Sequence, residues 1–208
     1  MIALIDYGVG NLYSVEKALT KVGGKVSVTS DAKVLETADK LVLPGVGAFG
    51  DCMKNLTATN LIPTIMEQVA RGKPLLGICV GLQILFEESE ESPNIKGLGI
   101  FKGEVKKIQA KNLKLPHIGW NSIKIGRKNS SIKFSAPKLM NDLKDKPYFY
   151  FVHSYHAVPS NENIIIARTD YGEEVTAAVE LGNIFATQFH PEKSGDVGLQ
   201  VLKNFVEL

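Results

Sequence analysis

The chain has 208 residues, of which 44% are hydrophobic, and its formal net charge is +2. This length and apolar content allow one sizeable core, so we expect a single domain spanning residues 1–208. The scattered charges argue against nucleic-acid binding, and the absence of an apolar run of about 18 residues argues against a membrane span.

The first half of the chain alternates strand and helix patterns. Apolar runs predict strands at residues 2–5, 25–29, 40–43 and 74–78, and helical spacing predicts helices at residues 11–22 and 61–71, with another helix after residue 78. No basic segment precedes the first run, which is therefore typical of a strand rather than of a secretion signal. Strands separated by helices predict a parallel sheet with right-handed crossovers.

The second half is richer in strands. The patterns predict strands at residues 104–108, 121–125, 148–152, 163–168, 175–180 and 184–189, a hairpin turn at residues 181–183, and a closing helix at residues 195–207. We therefore expect an α/β fold with an open mixed sheet. Its centre is parallel with helices on both faces, and the C-terminal half adds an antiparallel extension.

Three glycine-rich segments follow predicted parallel strands, at residues 7–11, 44–47 and 79–81. In an open parallel sheet, ligands bind outside the carboxyl ends of the strands. The three segments therefore predict a binding site on one rim of the sheet.

Two cysteines occur, Cys52 and Cys79, which is too few for a disulfide scaffold. We expect both to be reduced thiols in the cytoplasm. Neither lies in a CxxC pair or at a ligand-like spacing from a histidine, so we expect no metal site and no cofactor. Cys52 is expected to be a small buried helix residue.

Cys79 lies in a G-x-C-x-G segment between a predicted strand and a predicted helix. This is the pattern of a nucleophile elbow, in which flanking glycines allow a tight turn that exposes the nucleophile. The start of a helix also favours the thiolate, the reactive form. The alternative is a buried core cysteine, but a core cysteine would not need the two glycines.

A nucleophilic cysteine needs a base with an orienting group. Of the four histidines, His190 is the best candidate because it ends an apolar strand and is held extended by Pro191. Glu192 lies two positions further on, on the same side of an extended chain, and can fix the imidazole tautomer. A surface turn with a solvated carboxylate is the alternative for this short segment.

An acyl-transfer site also needs backbone N–H donors for the oxyanion. The N–H of Val80, directly after the nucleophile, is one predicted donor. The second is predicted in the loop at residues 44–47, at Val46, because the neighbouring glycines allow its peptide to turn. The alternative is that these glycines serve only the strand-to-helix connection.

Six segments together resemble one known family: DYGVGNL, PGVGAFGD, GICVGLQ, PHIGWN, YFVHSYH and FHPEKSG. They resemble the class I (triad) glutamine amidotransferases, and within them the glutaminase subunits of imidazole glycerol phosphate synthases. The resemblance runs from residue 5 to residue 206. It implies that Cys79, His190 and Glu192 hydrolyse L-glutamine to glutamate and ammonia through a thioester.

The resemblance also implies the surroundings of the triad. Gln83 matches the position that contacts the amino-acid end of glutamine, and backbone at Gly47, Ser154 and Tyr155 matches the other substrate positions. A peptide flip near residues 45–46 would complete the oxyanion site. His153 and His156 are additions near the substrate strand, and His156 is expected to pack or to meet solvent rather than to act as a base.

The partner implied by the resemblance is a (βα)8-barrel cyclase subunit that receives the ammonia and whose ligand raises glutaminase turnover. The residues that match partner-facing positions are Asn11, Trp120, Asn121 and Lys193. Three other hypotheses remain: a paralogous glutaminase that feeds a synthase in surface-sugar biosynthesis, a non-catalytic binding subunit, and a cysteine hydrolase that acts on peptides. The intact triad argues against the second, and Gln83 with the His-Pro-Glu order argues against the third.

Overall fold

A computed structural model of the protein describes residues 1–127 and 137–208. The strands are β1 (Ile2–Ile5), β2 (Val26–Thr29), β3 (Lys40–Gly45), β4 (Leu75–Cys79), β5 (Glu88–Ser89), β6 (Gly103–Lys107), β7 (His117–Ser122), β8 (Lys124–Ile125), β9 (Tyr148–His153), β10 (Tyr155–Pro159), β11 (Ile165–Asp170), β12 (Glu174–Leu181) and β13 (Ile184–Thr187). The α-helices are α1 (Leu12–Lys21), α2 (Ala32–Thr37), α3 (Phe49–Ala58), α4 (Ile62–Ala70), α5 (Val80–Gln83) and α6 (Gly195–Val206). Short 3₁₀ turns cover Lys138–Met140, Glu162–Ile164 and Pro191–Lys193.

The main sheet has the strand order β2-β1-β3-β4-β13-β12-β11-β8. Its first five strands pair in parallel, and β12, β11 and β8 continue it in antiparallel pairing. The predicted α/β class, the parallel centre and the antiparallel extension are therefore confirmed. Strand β4 is buried along its whole length because it lies between β3 and β13 near the middle of this sheet.

Several boundaries differ from the predictions. The predicted strand at residues 121–125 is divided between β7, which begins at His117, and β8, with Ile123 between them. Helix α2 was not predicted, α3 was predicted only in that Cys52 was expected to lie on a helix, and the helix after β4 is a single turn. Two strand groups also lie outside the main sheet, the three-stranded β10-β6-β5 and the two-stranded β7-β9.

Helix α1 shows how local sequence sets an element. Asn11 begins it by accepting a hydrogen bond from the Ser14 N–H, 3.2 Å from nitrogen to oxygen, which satisfies a free N–H of the first turn. Val15, Ala18 and Leu19 form its buried face, at helical spacing. Gly23, with φ of 94°, follows the last turn in the left-handed conformation that ends many helices.

None of the helices within residues 1–127 and 137–208 is both long and apolar enough to cross a bilayer.

Candidate active site

Cys79 is the last residue of β4 and has φ of 57° and ψ of −112°. A non-glycine residue at positive φ is uncommon, and such backbone strain is concentrated at functional sites. Helix α5 begins at the next residue, Val80. The strand, the strained residue and the helix together form the sharp turn expected of a nucleophile elbow.

The two glycines around Cys79 are required by close backbone packing. A Cβ atom on Gly81 would lie 2.0 Å from the Leu43 carbonyl oxygen of the neighbouring strand β3. A Cβ atom on Gly77 would lie 2.7 Å from the carbonyl oxygen of Gly81 itself. Contacts this short do not occur, so the turn forms only with glycine at both positions.

His190 and Glu192 form a buried pair beside the elbow. His190 Nδ1 lies 2.8 Å from Glu192 Oε1, and the two side chains are 3% and 1% exposed. His190 itself is extended, but the chain then enters the 3₁₀ turn Pro191–Lys193, and this turn brings the carboxylate to the ring. The pairing is as predicted from the two-residue spacing, although the backbone that makes it is a turn rather than an extended strand.

The electrostatics of His190 reflect two neighbours. Burial by itself would lower its pKa, but hydrogen bonding and charge from Cys79 and Glu192 outweigh burial and raise the pKa to about 10. His190 Nδ1 is hydrogen-bonded to Glu192, while the buried Nε2 makes no hydrogen bond of ordinary geometry within the described residues. His190 is therefore held to Glu192 through Nδ1, which leaves Nε2 as the nitrogen available to the Cys79 sulfur.

Gln188 is a neighbour of Cys79 that was not predicted from the sequence. This fully buried residue has its Nε2 3.8 Å from Cys79 Sγ, a distance at which an amide N–H donates weakly to sulfur. Its Oε1 accepts a hydrogen bond from Gln83 Nε2 at 3.1 Å. Gln188 precedes His190 by two residues, and this spacing is the feature of the sequence that could have identified it.

The thiol opens into a cavity of about 390 Å³ at the carboxyl ends of β3 and β4. Nine predicted site residues line it: Val46, Gly47, Cys79, Val80, Gln83, Ser154, Tyr155, His190 and Lys193. Glu91, Pro116, Val152 and His153 line it as well and were not predicted to do so. Glu192 lies behind His190 and is not among the lining residues.

The end of β3 and the loop after it form one wall of this cavity and are held by two side chains. Tyr7 donates its hydroxyl to the Pro44 carbonyl, and the Cys52 thiol donates to the Val46 carbonyl with 3.3 Å between sulfur and oxygen. Both donors are buried, and burial raises the pKa of Tyr7 far above its usual value and that of Cys52 to about 11. Cys52 is thus a protonated, buried residue of α3, as expected.

The side chains of Gln83 and Glu91 are partly engaged by the protein. Gln83 Nε2 donates to the Tyr155 carbonyl at 2.9 Å and to Gln188, which leaves its oxygen as the group able to meet a ligand. Glu91 Oε2 accepts from the Phe49 N–H at 2.7 Å, so this carboxylate is held at the cavity wall.

The residues predicted to face a partner lie at two places. Trp120 is 56% exposed on the outer face of the β7–β9 ribbon, edge-on to Tyr150, and the Lys193 ammonium lies 5.9 Å from the centre of the Tyr150 ring. Asn121 points to the other side, where its Nδ2 donates to the Asp170 carbonyl at 2.9 Å. Asn11 caps helix α1, which contacts the turn Pro191–Lys193.

The other three histidines are buried, and within the described residues none of them forms a hydrogen bond with Cys79. His156 packs beneath β12, 3.4 Å from the Thr176 backbone nitrogen and 3.5 Å from a Glu173 oxygen. Burial lowers its pKa, against the opposing charges of Glu173 and Glu90. His117 and His153 contact each other through their ring nitrogens.

Known proteins resemble this chain along its whole length. The family described as "Glutamine amidotransferase class-I" matches residues 3–208. The chain is 53% identical to "Imidazole glycerol phosphate synthase subunit HisH" of Methanothermobacter thermautotrophicus, with 100% of this chain and 98% of the relative covered. It is 49% identical to the protein of the same name from Aquifex aeolicus, with 97% and 94% covered.

Solved structures share the fold at lower identity. A structure described as "Crystal structure of glutamine amidotransferase" superposes with a TM-score of 0.75 at 18% identity, covering 100% of both chains. "Structure of PurLQS from Thermotoga maritima" gives a TM-score of 0.74 at 22% identity, covering 99% of this chain and 97% of that one. At these identities the likeness concerns the fold alone.

Proposed function

Because the chain belongs to the class I glutamine amidotransferases, and within them to the HisH family of imidazole glycerol phosphate synthase subunits, we propose that it hydrolyses L-glutamine and delivers the ammonia to a cyclase subunit. The cyclase would use this ammonia to form imidazole glycerol phosphate and an aminoimidazole carboxamide ribonucleotide in histidine biosynthesis. The observation that carries the proposal is the buried His190, placed between the Cys79 thiol and the Glu192 carboxylate at the edge of a cavity.

The first half-reaction forms a thioester. The Cys79 thiolate attacks the side-chain carboxamide carbon of glutamine, and the carbonyl oxygen becomes an oxyanion. His190 then gives its Nε2 proton to the amide nitrogen, the carbon–nitrogen bond breaks, and ammonia leaves. Glu192 keeps the proton on Nδ1 and stabilises the imidazolium, so Nε2 always faces the reacting atoms.

The second half-reaction releases glutamate. His190, now neutral, accepts a proton from water at Nε2 as the water oxygen attacks the thioester carbon. The tetrahedral intermediate expels the Cys79 thiolate, and the resting ion pair returns. Backbone N–H groups of Val80 and Val46 are the proposed donors to the oxyanion in both steps, because both residues line the cavity beside the thiol.

The far end of the cavity suits the amino-acid group of glutamine. Glu91 and the free oxygen of Gln83 are acceptors for an α-ammonium group. Backbone at Gly47, Ser154 and Tyr155 lines the same space and would complete recognition of the α-carboxylate. This arrangement favours a free amino acid over a peptide substrate, whose amide linkages would lack both charges.

The cyclase is expected to bind the outer face of the β7–β9 ribbon, which we call the ribbon face and define as Ile118, Trp120, Tyr148 and Tyr150. Ile118, Trp120 and Tyr148 are more than half exposed, an apolar surface of the kind that protein partners cover. Val152 on the same strand, and Lys193 against Tyr150, also line the cavity. A partner on the ribbon face would thus border the mouth of the glutamine site and receive ammonia before it is protonated in bulk water. We expect the complex to work in the cytoplasm, where Cys79 stays reduced.

The test is glutamate release by the chain alone, with the cyclase, and with the cyclase plus its ribonucleotide ligand. We expect little turnover alone and strong stimulation in the liganded complex. Glutamate release by a Cys79→Ala variant would contradict the mechanism, and full turnover without the cyclase would contradict the coupling to a partner.

A further inference from the structure

Four side chains and one carbonyl form a chain of hydrogen bonds beside the cavity, outside the Cys-His-Glu group. His117 Nδ1 lies 3.1 Å from His153 Nε2, and His153 Nδ1 lies 2.8 Å from the Tyr155 carbonyl oxygen. At one end, Asn121 Nδ2 lies 3.3 Å from His117 Nε2. At the other end, the Tyr155 oxygen also accepts from Gln83 Nε2 at 2.9 Å.

The acceptor at one end of this hydrogen-bond chain, the Tyr155 carbonyl, determines the position of every proton in it. A carbonyl only accepts, so His153 must carry its proton on Nδ1. In a neutral imidazole, Nε2 of His153 is then an acceptor, and His117 must donate to it from its own Nδ1. His117 Nε2 is left to accept from Asn121, whose other amide hydrogen goes to the Asp170 carbonyl. The hydrogen-bond chain therefore forms only when both imidazoles are neutral and both carry their proton on Nδ1.

Burial keeps both rings neutral. It lowers the pKa of His117 to about 4 and, together with smaller effects, that of His153 to about 3. The His117 ring is also clamped by stacking, with its centre 4.8 Å from that of Phe151 and 4.0 Å from that of Tyr171. Neither ring can turn away from its partners without losing these contacts.

The hydrogen-bond chain ends at the junction between β9 and β10, in the wall of the cavity. Strands β9 and β10 are joined by Ser154 alone, and His153, Ser154 and Tyr155 all line the cavity. The Tyr155 carbonyl oxygen accepts hydrogen bonds from two elements, from His153 on β9 and from Gln83 on α5. Two donors fill both lone-pair directions of one carbonyl, and this fixes the plane of the peptide that follows Tyr155.

We propose that His117 and His153 are positioning residues for glutamine binding: through one directed hydrogen-bond chain they hold the Tyr155 carbonyl, and with it the Ser154–Tyr155 wall of the cavity, in the conformation that binds the substrate. The inference rests on the proposed glutaminase function. His117 does not line the cavity, so its effect on glutamine is exerted through His153.

The test uses three variants with the cyclase and its ribonucleotide present. His117→Phe keeps a flat ring between Phe151 and Tyr171 but removes the donor, so His153 is free to change tautomer and release Tyr155. His117→Asn places an amide nitrogen near the former Nδ1 and can still donate to His153. His156→Asn is the matched control, because His156 is another buried histidine whose ring nitrogens contact Thr176 and Glu173 and form no hydrogen bond with a side chain of the hydrogen-bond chain, and because the substitution leaves the backbone after Tyr155 in place.

We expect His117→Phe to raise the KM for glutamine roughly tenfold, with kcat changed less than about threefold, because one buried hydrogen bond is lost from the ground-state site. His117→Asn should restore KM to within about threefold of the wild type. His156→Asn should lower the melting temperature and leave KM unchanged. A folded His117→Phe protein with wild-type KM would overturn the proposal.

A spectroscopic measurement tests the proton positions independently of turnover. In ¹⁵N-histidine-labelled protein at neutral pH, His117 and His153 should both show a protonated Nδ1 and an unprotonated Nε2. A protonated Nε2 on His153 would overturn the assignment. Absence of wild-type turnover would instead contradict the proposed function, and the spectrum would still decide the role of the histidine chain.

Discussion

Glu192 Oε1 lies 2.8 Å from His190 Nδ1, across a single intervening proline, and both side chains are almost completely shut off from solvent. A carboxylate this deeply buried is stable only beside a compensating positive charge. Its other oxygen, Oε2, makes no hydrogen bond within the described residues, so His190 is the partner on which its charge depends. The pair therefore acts as a unit, and a substitution of either residue should affect the other.

Glu192→Gln tests the orientation of the base. The amide has the shape of the carboxylate but can donate towards Nδ1, which would favour the tautomer with the proton on Nε2 in a neutral ring. We expect kcat for glutamine hydrolysis to fall roughly 10²- to 10⁴-fold, the usual contribution of a positioned acid–base group. Steady-state kinetics of the complex would measure it. Glu67→Gln, at an exposed ion pair with Arg71 on α4, serves as the control and should retain wild-type kcat.

The raised pKa of His190 predicts the sign of a pH effect on stability. The folded protein holds the His190 proton up to about pH 10, whereas an unfolded histidine loses it near its ordinary pKa of about 6.5. The stabilisation is therefore fully present below about pH 6.5 and is lost as the pH rises through about 10. Urea unfolding midpoints across this range should fall more steeply for the wild type than for His190→Asn. Parallel curves for the two proteins would contradict the prediction.

Gly81→Ala tests the close approach at the elbow. The new Cβ would meet the Leu43 carbonyl oxygen at 2.0 Å, and this oxygen belongs to the backbone of β3 in the central sheet. We expect a loss of roughly 3 kcal/mol or more in the free energy of unfolding, because α5 or β3 must move. Gly99→Ala is the comparison: Gly99 has φ of 64° but no atom within 4 Å of the new Cβ, so only about 1 kcal/mol of backbone strain is expected. Chemical denaturation of both variants would distinguish steric conflict from strain.

Trp120→Ala tests the ribbon face as the docking surface of the cyclase. Exposed aromatic residues near the centre of an interface commonly contribute about 2 kcal/mol or more to binding, so we expect the Kd for the cyclase to rise roughly 30-fold or more. Isothermal titration calorimetry would measure it, with thermal melting to confirm that the fold is unchanged. Leu181→Ala removes another exposed apolar side chain, at the opposite end of the sheet beside β13, and should leave the Kd unchanged.

The sequence was most informative where short-range rules act. The strand before Cys79 and the tight turn between two glycines follow from local sequence, and the α/β class follows from the alternation of apolar runs. The steric need for glycine at position 81 depends on the neighbouring strand β3. Helix α2 was missed because it is short, and the bounds of α3 were missed because its segment was not separated from the loop that precedes it. The division of residues 121–125 between β7 and β8 was not predicted either, because it depends on which sheet each half joins.

Which distant groups meet depends on the tertiary structure. Gln188 reaches Cys79, Glu91 lines the cavity, and His117 contacts His153 only because strands far apart in the chain are packed side by side. A hydrogen bond depends on distances of a few tenths of an ångström and on burial, and neither is encoded in residue spacing across a hundred positions. Residue types and their spacing were enough to predict the candidate reactive residues and the class of fold, because these depend on side-chain chemistry and local turns. The folded chain determined the protonation of His190 and the single direction of the histidine chain, because both depend on the neighbours that burial provides.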